Sequence, residues 1–171
     1  MYKLLFNETY PSWFYSINQG ATTIWERWNS YSKSEGFSKE NMNSLNHYAY
    51  GAIGQWMYER IAGIAPLEAG YKKIRIAPHP GKPLTSASGS LDTSYGKVTS
   101  SWKYINEEFT LEINIPSNTS ALVTIPFKDF NDVELDGLAI NNNKSLKIVD
   151  KKDDEVTIEV LAGTYNFNSK F

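Results

Sequence analysis

The sequence predicts an α+β protein in which a short helical part precedes an antiparallel β-sandwich. Up to about residue 62, apolar residues recur at the intervals of three and four that are typical of helices. After Gly70 they alternate with polar residues at the interval of two that is typical of strands, and Gly, Asn, Asp and Pro separate the alternating runs. This change of period predicts two domains, a helical one over residues 1–70 and a β-sandwich over residues 71–171.

Composition argues against several classes of function. The net charge of −2 over 171 residues, with both signs dispersed, leaves no basic face for nucleic acid. No apolar run reaches the roughly 18 residues that a membrane helix needs, so we expect no membrane contact. The absence of cysteine excludes disulfides and thiolate metal sites. The five Trp and eleven Tyr fit either an aromatic core or a surface that stacks on sugars.

The helical part begins with apolar residues at helical spacing over residues 2–8, and Pro11 then prevents the helix from continuing. Because this run looks like the last turns of an amphipathic helix, we expect the chain to be a fragment of a longer protein. Residues 11–20 are a predicted loop, and the three aromatic side chains at 13–15 need burial or a ligand.

A second helix is predicted to start at Thr22 or Thr23 as N-cap and to run to about Tyr31, with Glu26 placed to close a capping box. The polar stretch over residues 30–43 is a predicted surface loop.

The third helix has the clearest pattern in the chain. With Ser44 or Asn46 as its cap, one apolar face runs from Leu45 to Ile61 at intervals of three and four. Gly63 supplies the stop.

The β part is predicted to begin with a strand at residues 73–77, which Pro78 ends. Further short strands are predicted at residues 86–94, 97–105, 109–115, 120–125, 132–135, 146–149, 156–161 and 163–168. Hairpin-type connections are predicted at residues 94–96, 106–108, 116–118 and 150–154.

The predicted helices are too few to close a core of their own. So many aromatic residues on two or three helices would leave apolar patches in water. The helices therefore either pack on the sandwich or form the end of a larger helical domain. In the second case, we expect the exposed helical surface to cause self-association.

Glu26 is the candidate catalytic residue, and Trp25 and Trp28 flank it in the first turns of the predicted second helix. Apolar neighbours disfavour the charged carboxylate, whereas a helix N-terminus favours it, and a carboxylate held between these influences can act as a general base toward water. The alternative is a structural role, in which Glu26 caps the helix or pairs with a basic side chain such as Arg27.

Glycoside hydrolysis normally needs a second carboxylate on the other side of the scissile bond. No sequence context marks such a partner among the other acidic residues, such as Glu8, Glu35, Glu40 and Glu59. If Glu26 is catalytic, its acid partner lies outside this chain.

His47 is the candidate binding residue, as a hydrogen-bond donor to a sugar hydroxyl, a ligand or a helix cap. Metal binding has little support, because Glu26 and His47 lack a local third ligand and His79 lies in a different segment. No phosphate-binding loop or nucleophile elbow is present either. We therefore expect neither a metal nor a cofactor.

Several motifs resemble a known family. They are residues 11–13 (PSW), 19–28 (QGATTIWERW), 44–49 (SLNHYA) and 71–78 (YKKIRIAP). Together they resemble the C-terminal part of bacterial α-L-rhamnosidases, glycoside hydrolase family 78. The resemblance is specific through about Pro83 and rests on strand pattern beyond it.

The resemblance implies a multidomain architecture. Residues 1–70 would be the last helices of an (α/α)6 catalytic barrel, and residues 71–171 would be the C-terminal β-sandwich that packs on it. The family hydrolyses terminal α-L-rhamnosyl bonds with inversion, so the implied partner is a rhamnose-containing glycoside. Glu26 stands where the family has its general base, and His47 matches the histidine that contacts rhamnose. The family's general acid lies upstream, so we expect the isolated chain to be inactive.

Two alternatives remain open. The chain could be a noncatalytic carbohydrate-binding or accessory module whose aromatic residues, such as Trp13 and Trp102, stack on sugars. It could also belong to another (α/α)6-barrel sugar enzyme, such as a phosphorylase.

Overall fold

The computed structural model describes residues 1–40, 42–143 and 146–171. The chain divides into two compact units, Met1–Gln55 and Trp56–Phe171. Over the described ranges, none of the helices is both long enough and apolar enough to cross a lipid bilayer.

Two short helices open the first unit, α1 (Tyr2–Leu5) and α2 (Trp13–Asn18). The first helix was predicted, whereas the prediction of a loop over residues 11–20 is wrong for α2. The Ser12 hydroxyl accepts a hydrogen bond from the main-chain N–H of Tyr15 at 3.0 Å. Ser12 is therefore the N-cap of α2, a helix that the run of aromatic residues at 13–15 did not indicate.

The polar stretch over residues 30–43 contains a short antiparallel hairpin, formed by β1 (Tyr31–Ser32) and β2 (Gly36–Phe37). Residue 41 of this stretch lies outside the described residues.

The prediction of a helix over residues 22–31 is wrong, because this stretch is non-helical and ends in β1. Residues 24–26 instead run beside residues 44–47 and exchange main-chain hydrogen bonds with them. The Thr23 hydroxyl, expected to be a cap, donates to the main-chain oxygen of Leu45. Threonine hydroxyls bond loop backbone as readily as helix ends, so an N-cap pattern alone does not decide between the two.

The third predicted helix exists but starts late. It consists of a 3-10 helix at Ala49–Ala52, α3 at Ile53–Trp56 and a π-helix at Met57–Ala62. The expected start at residues 44–46 is wrong, because those residues are occupied by the pairing with residues 24–26. The predicted stop at Gly63 is confirmed, since Gly63 adopts a left-handed φ of 80°.

The second unit is rich in β-structure, as predicted. Its strands are β3 (Ile64–Pro66), β4 (Lys73–Ile76), β5 (Ser86–Thr93), β6 (Gly96–Ile105), β7 (Glu108–Pro126), β8 (Glu134–Leu135), β9 (Leu138–Ala139), β10 (Lys147–Lys151) and β11 (Glu155–Lys170). β7 pairs antiparallel with β6 and β11. The expectation of purely antiparallel pairing is wrong at β4, which runs parallel to residues 120–123 of β7.

β7 and β11 are long strands, each of which was predicted as two short ones. Consequently, the hairpin expected at residues 116–118 is absent, and the chain there continues within β7. The pairing register between the two strands shifts at this point, because Leu161 lies opposite Ser120 and Gly163 lies opposite Ile115. The first part of β7 pairs with β6 and the second part with β4. The long strand β7 therefore connects the strands β5 and β6 with the strands β3 and β4 in one sheet.

One hydrophobic core fills the second unit, and its largest members include the fully buried Trp102 and Phe109. The indole Nε1 of Trp102 donates to the main-chain oxygen of Ile61 at 2.6 Å, which ties the π-helix to β6. Gly89 of β5 permits close packing there, since a Cβ at this position would lie 2.6 Å from the Cβ of Ala62.

A cluster of opposite charges spans three strands of the sheet. The Glu159 carboxylate of β11 pairs with the amines of Lys147 on β10 and Lys73 on β4, the latter at 3.3 Å. Hydrogen bonds from Lys147 and Lys73 lower the pKa of Glu159 below its ordinary value. The ionised form of Glu159 is therefore favoured by folding.

We expect Glu159→Gln to lower the free energy of unfolding at neutral pH and to have less effect in acid. Because folding lowers this pKa, the carboxylate stabilises the protein above the unfolded carboxyl value of about 4.3, and this contribution is lost as the pH falls through the lower folded value. Urea denaturation of both forms, from neutral pH to about pH 3, measures the difference.

Asp92→Asn is the matched control, because the Asp92 side chain is 82% exposed and lies 3.7 Å from Lys97. Exposed pairs of this kind contribute little to stability. A deficit of Glu159→Gln that is equally large at neutral pH and in acid would contradict the electrostatic explanation.

Candidate active site

The structure brings together the two segments that carry Glu26 and His47. The main-chain N–H of Glu26 donates to the oxygen of Ser44 at 2.9 Å, and that of His47 donates to the oxygen of Ile24 at 2.8 Å. We call residues 24–26 and 44–47 the paired segments. Their hydrogen bonds place Glu26 and His47 in one local structure of the first unit.

The Glu26 carboxylate is held by the main chain of the opposite segment. Its Oε2 accepts a hydrogen bond from the N–H of Ser44 at 2.7 Å. Glu26 lies in a loop and not at a helix N-terminus, so the expected influence of a helix dipole and the capping-box role are both wrong. Of the two neighbouring tryptophans, Trp25 is buried and Trp28 is half-buried. A half-buried carboxylate oriented by a main-chain donor is the result.

The imidazole of His47 is oriented by its own main chain. Its Nδ1 accepts a hydrogen bond from the N–H of Ala49 at 3.3 Å. An accepting Nδ1 carries no proton, so the proton of the neutral ring resides on Nε2. The ring also stacks on that of Tyr48, with a centroid distance of 5.3 Å. His47 therefore offers Nε2–H as a donor to a further group.

Aromatic side chains support the paired segments from within the first unit. Trp28 stacks on Tyr50 with ring centroids 3.8 Å apart, and Trp13 packs edge-on against Trp28 at 5.0 Å. The Trp13 Nε1 donates to the main-chain oxygen of Tyr50 at 3.0 Å. Beside this cluster lies a small cavity of about 60 Å³, which Ile24 and Trp25 also line. Trp13 thus serves packing and hydrogen bonding within the unit.

An open cleft of about 810 Å³ lies elsewhere on the first unit. Its lining combines aromatic rings with charged and hydroxyl groups: Tyr10, Tyr15, Asn29, Ser32, Glu35, Gly36, Phe37, Ser38 and Lys39. Sequence reasoning identified residues 30–43 only as a loop, because the lining depends on the β1–β2 hairpin.

Among residues 1–40, 42–143 and 146–171, no group of three His, Asp or Glu side chains is arranged to hold a metal ion. His79 lies in the second unit, where its Nδ1 is 3.0 Å from the main-chain oxygen of Ala77.

Sequence reasoning missed the group that orients Glu26, because that group is the main-chain N–H of Ser44. A main-chain donor has no side-chain signature. The one available signal was the second motif itself, since residues 44–49 begin with Ser44.

Two family models match most of the chain. Residues 1–61 match the bacterial alpha-L-rhamnosidase 6 hairpin glycosidase domain, and residues 63–137 match the bacterial alpha-L-rhamnosidase C-terminal domain. The chain belongs to the bacterial α-L-rhamnosidase family. The resemblance found in the sequence is thereby confirmed, and the β-rich second unit corresponds to the C-terminal region of these glycoside hydrolases.

Individual rhamnosidases are similar along the whole chain. An alpha-L-rhamnosidase of Formosa agariphila is 61% identical over 171 residues, which are 100% of this chain and 18% of the relative. The structure of Streptomyces avermitilis alpha-L-rhamnosidase complexed with L-rhamnose superposes with a TM-score of 0.88 and 40% identity, covering 99% of this chain and 16% of that one. For the alpha-L-rhamnosidase from Dictyoglumus thermophilum, the TM-score is 0.85 and the identity 34%, over 99% of this chain and 18% of that one. The chain spans less than a fifth of the length of these rhamnosidases.

Proposed function

We propose that this chain is the C-terminal part of an inverting α-L-rhamnosidase, which hydrolyses terminal α-L-rhamnosyl bonds. Its helical part would be the last helices of the (α/α)6 catalytic barrel, and the β-rich part would be the domain that follows. Support comes from the family models and from relatives in which a matching segment is less than a fifth of the protein. The general acid would lie in the preceding part of the polypeptide.

The observation that carries the proposal is the geometry of Glu26. Oε2 is fixed by the N–H of Ser44 at 2.7 Å, and Oε1 has no hydrogen bond within the described part of the chain. A carboxylate with one oxygen fixed and the other open is suited to bind a water molecule and take its proton. Glu26 is therefore assigned as the general base.

Inversion requires that this water attack the anomeric carbon from the face opposite the leaving group. As the water loses its proton to Glu26, the bond from the anomeric carbon to the leaving oxygen breaks, and a second carboxylic acid protonates that oxygen. The two carboxyl groups of inverting enzymes lie about 6.5–9.5 Å apart, which leaves room for the water. Glu26 supplies one half of this pair.

His47 is assigned to substrate binding. Because Nδ1 is occupied by the N–H of Ala49, Nε2–H remains to donate to a hydroxyl of the sugar. The L-rhamnose in the Streptomyces avermitilis structure supports rhamnose as the sugar bound here.

The first test compares wild type with Glu26→Gln in the full-length enzyme. We expect release of rhamnose from an aryl α-L-rhamnoside to fall about a thousandfold, because glutamine cannot accept the proton from water. Glu8→Gln is the control, since Glu8 is an exposed acid of the same unit, and it should retain full activity.

Activity of Glu26→Gln within a few-fold of wild type would return Glu26 to a structural role and favour a noncatalytic carbohydrate-binding or accessory module. If the reaction of the full-length enzyme strictly required phosphate, the result would instead favour a phosphorylase among the (α/α)6-barrel enzymes. NMR of the first rhamnose released tests inversion independently, because an inverting enzyme releases the anomer opposite to that of the substrate.

The isolated 171-residue chain should release no rhamnose from an aryl α-L-rhamnoside. General acid and base each contribute factors of about 10² to 10⁴, and the chain supplies only one of the two groups. A sensitive measurement of the released phenol at high protein concentration checks this. Turnover that disappears in a Glu26→Gln version of the chain would show that the second carboxyl group is present here.

His47→Ala should raise KM about tenfold or more and change kcat less. The loss corresponds to one hydrogen bond to the sugar, which is worth about 1.4 kcal/mol when its acceptor returns to water. Steady-state kinetics of the full-length enzyme give both constants. His79→Ala is the control, because His79 belongs to the second unit. An unchanged KM in His47→Ala would contradict the assignment.

A further inference from the structure

Ser30 is the residue at which three parts of the first unit meet. Ser30 is fully buried, and its oxygen accepts one hydrogen bond from the N–H of Ser38 at 3.0 Å and another from Asn43 Nδ2 at 2.9 Å. The Ser30 hydroxyl accepts from the N–H of Arg27 at 3.2 Å. The loop after Glu26, the β1–β2 hairpin and the segment that begins at Asn43 are therefore tied to one residue.

Asn43 directly precedes Ser44, whose N–H holds the Glu26 carboxylate. A closed path of bonds thus runs from Glu26 Oε2 to Ser44, through one peptide to Asn43, and from the Asn43 amide to Ser30. It returns to Glu26 along four residues of main chain. The path passes through the fully buried Ser30, and the Asn43 amide is its side-chain link to the peptide that carries the Ser44 N–H.

We propose that Asn43 is a positioning residue for Glu26: its side-chain amide, bonded to Ser30, fixes the Ser44 N–H and thereby the orientation of the catalytic carboxylate. This rests on the proposed function, in which Glu26 activates water. The amide orientation is settled by chemistry, since only the NH2 group of asparagine can donate to a carbonyl oxygen.

The bond is more important for the position of Ser44 than for the stability of the fold. If the Asn43 amide is removed, the Ser30 oxygen keeps its hydrogen bond from Ser38 and is not left unsatisfied. Ser44, however, loses the side-chain anchor of its neighbouring residue. A displacement of about 1 Å at a reacting group can cost about a hundredfold in rate. A small displacement of the Ser44 N–H would therefore shift the Glu26 carboxylate and lower kcat.

The test uses Asn43→Asp and Asn43→Ala in the full-length enzyme, with an aryl α-L-rhamnoside as substrate. Aspartate keeps the size of the side chain but, when ionised, has no hydrogen-bond donor. Alanine removes both the donor and the rest of the polar side chain. We expect kcat to fall about tenfold or more in both variants, with KM changed less than about threefold. Asn7→Asp is the control for the chemical change, because it removes an asparagine-to-carbonyl bond of the same unit, from Asn7 Nδ2 to the Thr9 oxygen at 3.0 Å, that is exposed and local.

A double-mutant cycle separates positioning from general structure. If Asn43 acts through Glu26, its substitution should cause no further loss in a Glu26→Gln background, within about twofold. An equal loss in both backgrounds, or failure of both Asn43 variants to fold, would overturn the proposal. Full activity of Glu26→Gln alone would overturn the proposed function first, so the two failures are distinguishable.

Discussion

The first unit depends on the hydrogen bonds between the paired segments, residues 24–26 and 44–47. These bonds satisfy main-chain groups that would otherwise need a helix or water, and they hold two distant parts of the sequence in a fixed register. Because the register sets Glu26 opposite Ser44 and Ile24 opposite His47, it also decides which main-chain donor meets the carboxylate. Local structure and candidate chemistry thus follow from the same few contacts.

This pairing also explains why one predicted helix, over residues 22–31, is absent and why another starts later than predicted. Thr23 and Ser44 are good N-caps, and the apolar residues that follow each have helical spacing. In the structure, the Thr23 hydroxyl donates to the Leu45 oxygen, and the Ser44 hydroxyl accepts from the N–H of Asn46 at 3.2 Å. Side chains that cap helices can equally close loops, and tertiary pairing decides between the two outcomes. The helical segment begins at Ala49, once the pairing has ended.

The β-rich unit was more predictable, because alternation of apolar and polar residues is a local property. β5 and β6 lie within one residue of their expected bounds. The errors in this unit concern which strands pair with one another. Residues 116–118 have the composition of a turn, yet β7 passes through them, and β11 pairs with it on both sides of this point. The parallel pairing of β4 with β7 likewise depends on which strand is adjacent, and a single strand's pattern contains no such information.

For the candidate site, the sequence could supply the side chains but not the groups that orient them. Glu26 and His47 stand in the motifs over residues 19–28 and 44–49, and the structure places their segments side by side. Ser44 acts through its N–H and Ser30 through its oxygen, atoms that every residue except proline has in common. The role proposed for Asn43 depends on those two main-chain atoms, which the sequence does not distinguish from any others. A carboxylate oriented in this way needs no helix dipole, because a single well-placed main-chain donor fixes one oxygen and leaves the other free for water.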